Sequence, residues 1–187
     1  RTARLALERG DLTTSRRLAE TLTTDGLSKQ EISLLMLTKA QLAFNVGNTE
    51  AALRLLTSES FNLLDLNQAM QLEGSLLLAD TYLATNRFYA SARERVLIHH
   101  LLEGAVQQAN TNAIFETLLN LPTPILTAYA KKSVSNEVRG WLSLSAMSKQ
   151  FQNRPSQQLR ALGNWKKLWI GHPAAENLPD SLTFLDS

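Results

Sequence analysis

The sequence predicts an all-α fold in which antiparallel helical hairpins stack into a curved right-handed array. Three observations carry this expectation. Helix breakers are scarce, with eight glycines in 187 residues and five prolines that all follow Leu121. Leucine and alanine abound, while the β-branched alternation of a strand is missing. Apolar residues return at spacings of three and four, the period of a helix face.

Each element follows in order. Ala3, Leu5, Ala6 and Leu7 read as a helix already under way at Arg1, so a targeting segment is expected upstream. Residues 28–46 form the clearest helix. Ser28 with Glu31 is a capping box, and Ile32, Leu35, Met36, Ala40, Ala43 and Phe44 share one face. Gly47-Asn48 closes it as a C-cap and turn. Residues 49–57 make a second helix through Ala52, Leu55 and Leu56. Residues 66–85 and 88–102 repeat the pair around Asn86-Arg87. Residues 103–121 predict another helix, stopped by Pro122-Thr123-Pro124 because proline disfavours helical geometry in the residue before it. A short helix over 125–132, a polar connector over 132–136 and a helix from about Glu137 to Gln150 follow. Arg154-Pro155 opens the next helix, as proline is tolerated in a first turn. Gly171-His172-Pro173 ends it, and residues 174–187 read as a terminal turn or short helix.

The turns themselves repeat. Gly10-Asp11, Gly47-Asn48 and Asn86-Arg87 lie 37 and 39 residues apart. An alanine stands seven residues before each (Ala3, Ala40, Ala79), and a small residue four after each (Thr14, Ala51, Ala90). A weaker fourth copy has Ala146, Asn153 and Gln157. Small residues at such positions let two helices approach closely beside a short turn. This is the logic of a tetratricopeptide hairpin, whose period is roughly 34 residues. The periods here are longer and the Trp-Leu-Gly-Tyr pattern is absent, so the array is TPR-like. Residues 1–187 read as a single TPR-like helical domain with subparts of about 1–121 and 122–187.

Composition narrows the functions. Hydrophobic residues at 44% and charged residues at 19% suit a folded chain, not a disordered one. The formal net charge of +2 and the separated pairs Arg16-Arg17, Lys131-Lys132 and Lys166-Lys167 argue against nucleic acid as a partner, which needs a basic patch. No stretch reaches the length of a membrane span. Cysteine is absent, which removes disulfides and thiolate chemistry.

Catalytic and metal candidates are few. His99, His100 and Glu103 form the cluster closest to a metal site. His99 and Glu103, at i and i+4 of the expected helix, could face one ion, with His100 turned about 100° away. Zinc needs three or four ligands and the remaining histidine is His172, so no metal is expected. Phosphate-binding glycine loops, Gly-x-Ser-x-Gly elbows and Ser-x-x-Lys or Lys-Thr-Gly elements are missing. Glu73 and Glu116 read as solvated helix carboxylates. Trp141, Trp165 and Trp169 could make a ligand platform, but Trp165 and Trp169 at i and i+4 read first as core. Catalytic, cofactor-binding and metal residues are therefore expected to be none, and the partner-binding residues are not assigned.

The C-terminal third carries an ordered set of motifs. Arg139-Gly140-Trp141-Leu142-Ser143-Leu144 is followed by Gln158-Leu159-Arg160-Ala161-Leu162, Trp165-Lys166-Lys167, His172-Pro173-Ala174-Ala175 and Leu178-Pro179. This set resembles the end of the N-terminal domain in the LpoA (LppC) family of penicillin-binding protein activators. The resemblance is specific over about residues 138–179, and the preceding hairpins suit that family's TPR-like domain. One departure is Trp169-Ile170-Gly171, where family members tend to have a Tyr-Pro-Asn type of sequence. The resemblance implies a non-catalytic periplasmic scaffold of an outer-membrane lipoprotein that activates a bifunctional class A penicillin-binding protein in peptidoglycan synthesis. It implies a signal and lipobox upstream and a C-terminal domain like periplasmic binding proteins downstream. That domain is the expected main contact with the synthase, peptidoglycan is a further candidate partner, and the outer membrane is reached only through the lipid anchor. It carries over no functional residue: Trp141 and Trp165 read as core anchors and Pro173 as a helix stop. Two alternatives need no family: a generic TPR-like adaptor binding a peptide or partner helix in its concave face, or a helical domain of a lytic transglycosylase.

Overall fold

The computed structural model describes residues 2–183 and 185. Among the described residues the chain forms helices and turns without a strand: α1 (Thr2–Glu8), α2 (Leu12–Thr21), α3 (Lys29–Asn45), α4 (Thr49–Leu56), α5 (Gln68–Ala84), α6 (Phe88–Ile98), α7 (Gly104–Leu119), α8 (Thr123–Lys132), α9 (Asn136–Phe151), α10 (Pro155–Leu168), α11 (Pro173–Glu176) and α12 (Asp180–Thr183). None of these helices is long and apolar enough to cross a membrane. Two compact units divide the chain, Arg1–Arg87 and Phe88–Ser187.

In the first unit, α1 pairs with α2 and α3 with α4, while α5 packs on α3 and α4. The expected turns are built on one hydrogen-bond pattern. The amide of Gly10 donates to Leu7 O and that of Asp11 to Ala6 O, both at 2.9 Å. Gly47 and Asn48 donate in the same way to Phe44 O and Ala43 O, and Asn86 and Arg87 to Leu83 O and Tyr82 O. Gly10, Gly47 and Asn86 take the left-handed conformation this closure demands, with φ of 78°, 79° and 58°; glycine and asparagine are the residues that accept it most readily. Asp11 and Asn48 then cap the returning helix through the amides of Thr14 and Ala51. The Ser28–Glu31 capping box is present with both of its hydrogen bonds.

The alanines before the turns are buried as expected: Ala3, Ala40 and Ala79. The small residues after the turns are displaced by one. Thr14, Ala51 and Ala90 remain partly exposed, while Ser15, Ala52 and Ser91 are fully buried. The reason is helical phase. Thr14 and Ala51 each donate an amide to the cap, and the next residue, about 100° further round, turns toward the first helix. Ser15 confirms the close approach, since its hydroxyl donates to Ala3 O at 2.7 Å. The weak fourth copy keeps the displaced spacing but not the small size. Asn153 is not left-handed, Ala146 is only partly buried, and Gln158 fills the contact by donating to Ser148 Oγ at 3.1 Å.

The core of this unit combines Leu37, Ala40, Ala52, Leu53, Leu56 and Leu77 with their neighbours, and a smaller cluster joins Ala3, Ala19 and Leu42. Arg4 of α1 pairs with Glu73 of α5 as well as with Glu8. Glu73 is therefore an ion-pair partner, not merely a solvated carboxylate.

In the second unit, α9 is the hub, in contact with α6, α7, α8, α10 and α11. The sequence divides this region at the proline break, yet Pro122–Pro124 lies inside the unit. A proline acts on its own helix, whereas Phe115 and Leu118 of α7 and Trp141 and Leu142 of α9 bury one core across the break. Pro124 also opens a helix, standing in the first turn of α8, where a missing amide costs nothing. The expected helix over 88–102 ends early, at Ile98, and His99–Leu101 is a 3-10 turn.

The displaced register can be tested by enlarging each candidate in turn. Ala52→Leu, at a fully buried helix contact, is expected to destabilise the chain by about 1–3 kcal/mol through overpacking. Ala51→Leu should cost much less. Urea unfolding followed by circular dichroism measures both, and equal losses would contradict the assigned phase.

Candidate functional site

Gly140, Trp141, Trp165 and His172 of the C-terminal motif set converge on one place, the surface of α9 where the chain returns as α11. Gly140 is the reason they can. A Cβ built there would overlap the His172 ring at Nε2 and Cδ2. The imidazole thus lies directly on the backbone of α9, in space that any side chain would take.

His172 is held by both ring nitrogens. Nδ1 accepts the amide of Ala174 at 3.1 Å, which makes His172 the N-cap of α11. Nε2 stands 2.8 Å from Glu137 O, an acceptor, so Nε2 carries the proton and donates. This pattern requires the neutral ring. Burial pushes the His172 pKa down, opposed by the bond to the Glu137 carbonyl.

Three indoles enclose the imidazole. Trp141, Trp165 and Trp169 meet it edge-on, with ring centroids at 5.6, 5.6 and 5.7 Å. Trp165 and Trp169 stack on each other, and Trp165 Nε1 donates to Ser143 Oγ at 2.8 Å. Ser143 in turn donates to Gly140 O. Trp141 and Trp165 are core anchors, as the sequence suggests, and Trp169 is partly buried against them. Pro173 differs from expectation: it occupies the first turn of α11 and starts a helix instead of stopping one.

His99 approaches Trp141 from the opposite element, at 6.2 Å and nearly perpendicular. It is buried and shares a hydrogen bond with Asn110 Nδ2 at 3.2 Å. Asn110 also donates to Arg95 O and accepts from Arg95 Nη1. Burial lowers the His99 pKa, and the charges of His172 and His100 lower it further. The i, i+4 relation to Glu103 dissolves, because the helix ends before His99 and Glu103 sits in extended backbone at the N-cap of α7. His100 and Glu103 are exposed, and no group of three metal-ligating side chains occurs among the described residues. Glu116 is exposed on α7. Glu137 is partly buried, which raises its carboxyl pKa against the lowering effect of His100.

A second cluster fixes the end of the motif set. Gln108 of α7 donates to Leu178 O and to Asp180 Oδ1, at 3.0 and 2.9 Å. Asn112, one turn on, donates to Asp180 Oδ2 and accepts the Asp180 amide. Asp180 thus ties α12 to α7, with Leu178 and Leu182 buried beside it. Sequence reasoning did not single out Gln108, Asn112 or Asp180. The i, i+4 spacing of two amides was the signal, and it is too common on helices to stand out.

Elsewhere, the first unit holds a trench of about 660 Å³ bounded by α1, α3 and the start of α5, with Arg4, Leu22, Leu34, Leu66 and Met70 among its walls. In the histidine–tryptophan knot the polar atoms of His172 and Trp165 are directed at the chain's own backbone and side chains, while Trp141 Nε1 is buried without a hydrogen-bond partner.

Comparison with known proteins gives a consistent picture. A family model described as LppC putative lipoprotein matches residues 1–187. The penicillin-binding protein activator LpoA of Photobacterium profundum is 23% identical over 176 residues, which cover 94% of this chain and 28% of that protein. The penicillin-binding protein activator LpoA of Dickeya chrysanthemi is 30% identical over 90 residues, 48% of this chain and 13% of that protein. The chain thus spans less than a third of the length of these relatives. Among solved structures, full-length LpoA from Haemophilus influenzae superposes with a TM-score of 0.78 at 20% identity, over 99% of this chain and 33% of that one. The N-terminal domain of the same protein gives 0.72 at 20% identity, over 99% of this chain and 82% of that one. The amino-terminal domain of E. coli LpoA gives 0.72 at 19% identity, over 97% and 79%. At these identities the likeness is one of fold.

Two glycines offer a contrast. Gly163 in α10 has open space where a Cβ would go, so Gly163→Ala is expected to stabilise by about 0.5–1 kcal/mol from helix propensity. Gly140→Ala gains the same propensity but must displace His172, and should be net destabilising in the same unfolding assay. Stability should also fall with pH in the histidine range. Both buried rings are neutral when folded and titrate near pH 6.5 when unfolded, so the unfolded state binds more protons below that pH. Denaturation midpoints should therefore hold steady down to about pH 6.5 and decline below it. A profile that stays flat from about pH 6.5 down to about pH 5 would contradict the neutral, buried assignment.

Proposed function

Because the chain belongs to the LppC lipoprotein family, we propose that it is the helical N-terminal scaffold of a lipoprotein that activates a bifunctional class A penicillin-binding protein. The observation that carries this reading is the family match over the whole chain, joined to two relatives named as penicillin-binding protein activators. In this reading the protein is anchored in the outer membrane through a lipid upstream of Arg1 and lies in the periplasm. A domain like periplasmic binding proteins follows this segment and makes the main contact with the synthase, and peptidoglycan is a further partner. The segment itself is not an enzyme.

The geometry supports a structural role. Several of the motif residues that carry the family resemblance are spent on one another: Gly140 receives His172, Ser143 receives Trp165, and His172 caps α11. Within the first unit, hairpins closed by short left-handed turns support a spacer role, since each hairpin there is fixed by its neighbour. The trench in the first unit favours a second reading, a TPR-like adaptor that takes a peptide or partner helix.

Reconstituted cross-linking assays separate these readings. The full-length protein is expected to stimulate a cognate class A synthase, and this segment alone should stimulate it little. Full stimulation by the segment would overturn the spacer assignment. Incubation with purified sacculi should release no muropeptides, and release would point to the lytic alternative. Saturable binding of the segment to a periplasmic peptide, abolished by a charged residue at Leu34, would favour the adaptor.

A further inference from the structure

The hydrogen bonds of His172 make its seat conditional on charge. Its Nδ1 accepts the Ala174 amide and its Nε2 donates to Glu137 O. A second proton can enter only at Nδ1, where it would place a donor against a donor. The N-cap of α11 would then be lost, and a cation would be left among three indoles and the backbone of α9. We propose that the seat of His172 on Gly140 is a proton-operated latch, in which protonation of the imidazole frees α11 from α9 while the core helices stay folded.

The surroundings fix what moves. On α9, Glu137 and Arg139 precede Gly140 in sequence, and the carbonyl of Glu137 faces the ring. From the turn after α6, His99 lies on the other side of Trp141, and the charge of His100 acts on His99 and on Glu137. From α10 and the residue after it, the ring meets the indoles of Trp165 and Trp169; the cations of that helix are Arg160, Lys166 and Lys167, and α11 carries Glu176. A proton on His172 and one on His99 oppose each other through Trp141, so the first ring to charge holds the other neutral. Release is bounded at its far end. Asp180 remains tied to Gln108 and Asn112, and neither amide titrates. The latch therefore loosens His172–Glu176 and leaves α12 on α7.

The chain carries its own reporter, because its three tryptophans are Trp141, Trp165 and Trp169 and all three touch His172. Tryptophan emission of the 187-residue chain, taken from about pH 8 to about pH 5, should show a one-proton transition while the helical circular dichroism stays constant. The His172 ring resonances, followed by NMR on the unaltered chain, should titrate with the same midpoint. His172→Asn keeps a capping acceptor but cannot titrate, and should abolish this transition. His99→Gln should keep it with its midpoint little changed, since the charge of His172 acts on His99 while His99 stays neutral as His172 titrates. Gly140→Ala should give the low-pH emission already at about pH 8. Emission that does not change with pH, a transition that survives His172→Asn, ring and emission midpoints that differ, or a transition that coincides with loss of helix would each overturn the latch.

Discussion

The second unit depends on how closely other elements can approach α9. Val138, Gly140, Trp141, Leu142, Leu144, Ser145 and Ser148 are all buried, so this helix has little solvated circumference. Five other helices lean on it. A helix enclosed in this way needs small residues wherever a neighbour comes near and large ones wherever a gap must be filled. Gly140 and Trp141 are the two extremes side by side. The glycine admits the His172 ring, and the indole next to it fills the space between His99 and His172. Removing the small residue or the large one would undo the same contact from opposite directions.

The first unit solves the same problem with repetition. Its helices meet at alanine and serine, and its turns spend the last carbonyls of one helix on two amides beyond it. A turn of this kind leaves few orphaned backbone groups, so short helices such as α1 and α4 can be used. Isolated helices of that length would not persist in water; the hairpin supplies the burial they lack. The Arg4–Glu73 pair adds a link between α1 and α5, though a partly exposed ion pair of this kind contributes modestly at most.

Both designs agree with the scaffold role proposed for this segment. His172 serves the chain's own backbone, and Trp165 and Gln158 bond serine hydroxyls of α9. The pKa directions at His99 and His172 come chiefly from burial and not from a charge partner tuned for catalysis. Burial of these two histidines favours their neutral rings. The seat of α11 rests on an uncharged imidazole, bonded at both ring nitrogens.

Much was legible in the sequence because it is local. Capping at Ser28, the left-handed closures at Gly10, Gly47 and Asn86, and nearly every helix follow from residue types at short spacing, where hydrogen-bond geometry leaves few choices. The buried small residue after each turn lies one position beyond the one the spacing points to, since spacing marks a small residue but not the direction it faces. The border at Arg87, the burial of His99, the pairing of His172 with Gly140 and the clamp of Asp180 on Gln108 and Asn112 were not legible at all. The last two join residues from 32 to 72 positions apart, and the first two rest on which helices bury a core together. Local propensity by itself determined where this chain is helical and where it turns. Only the tertiary structure decided which surfaces meet, because that outcome depends on the mutual fit of side chains that the linear order keeps apart.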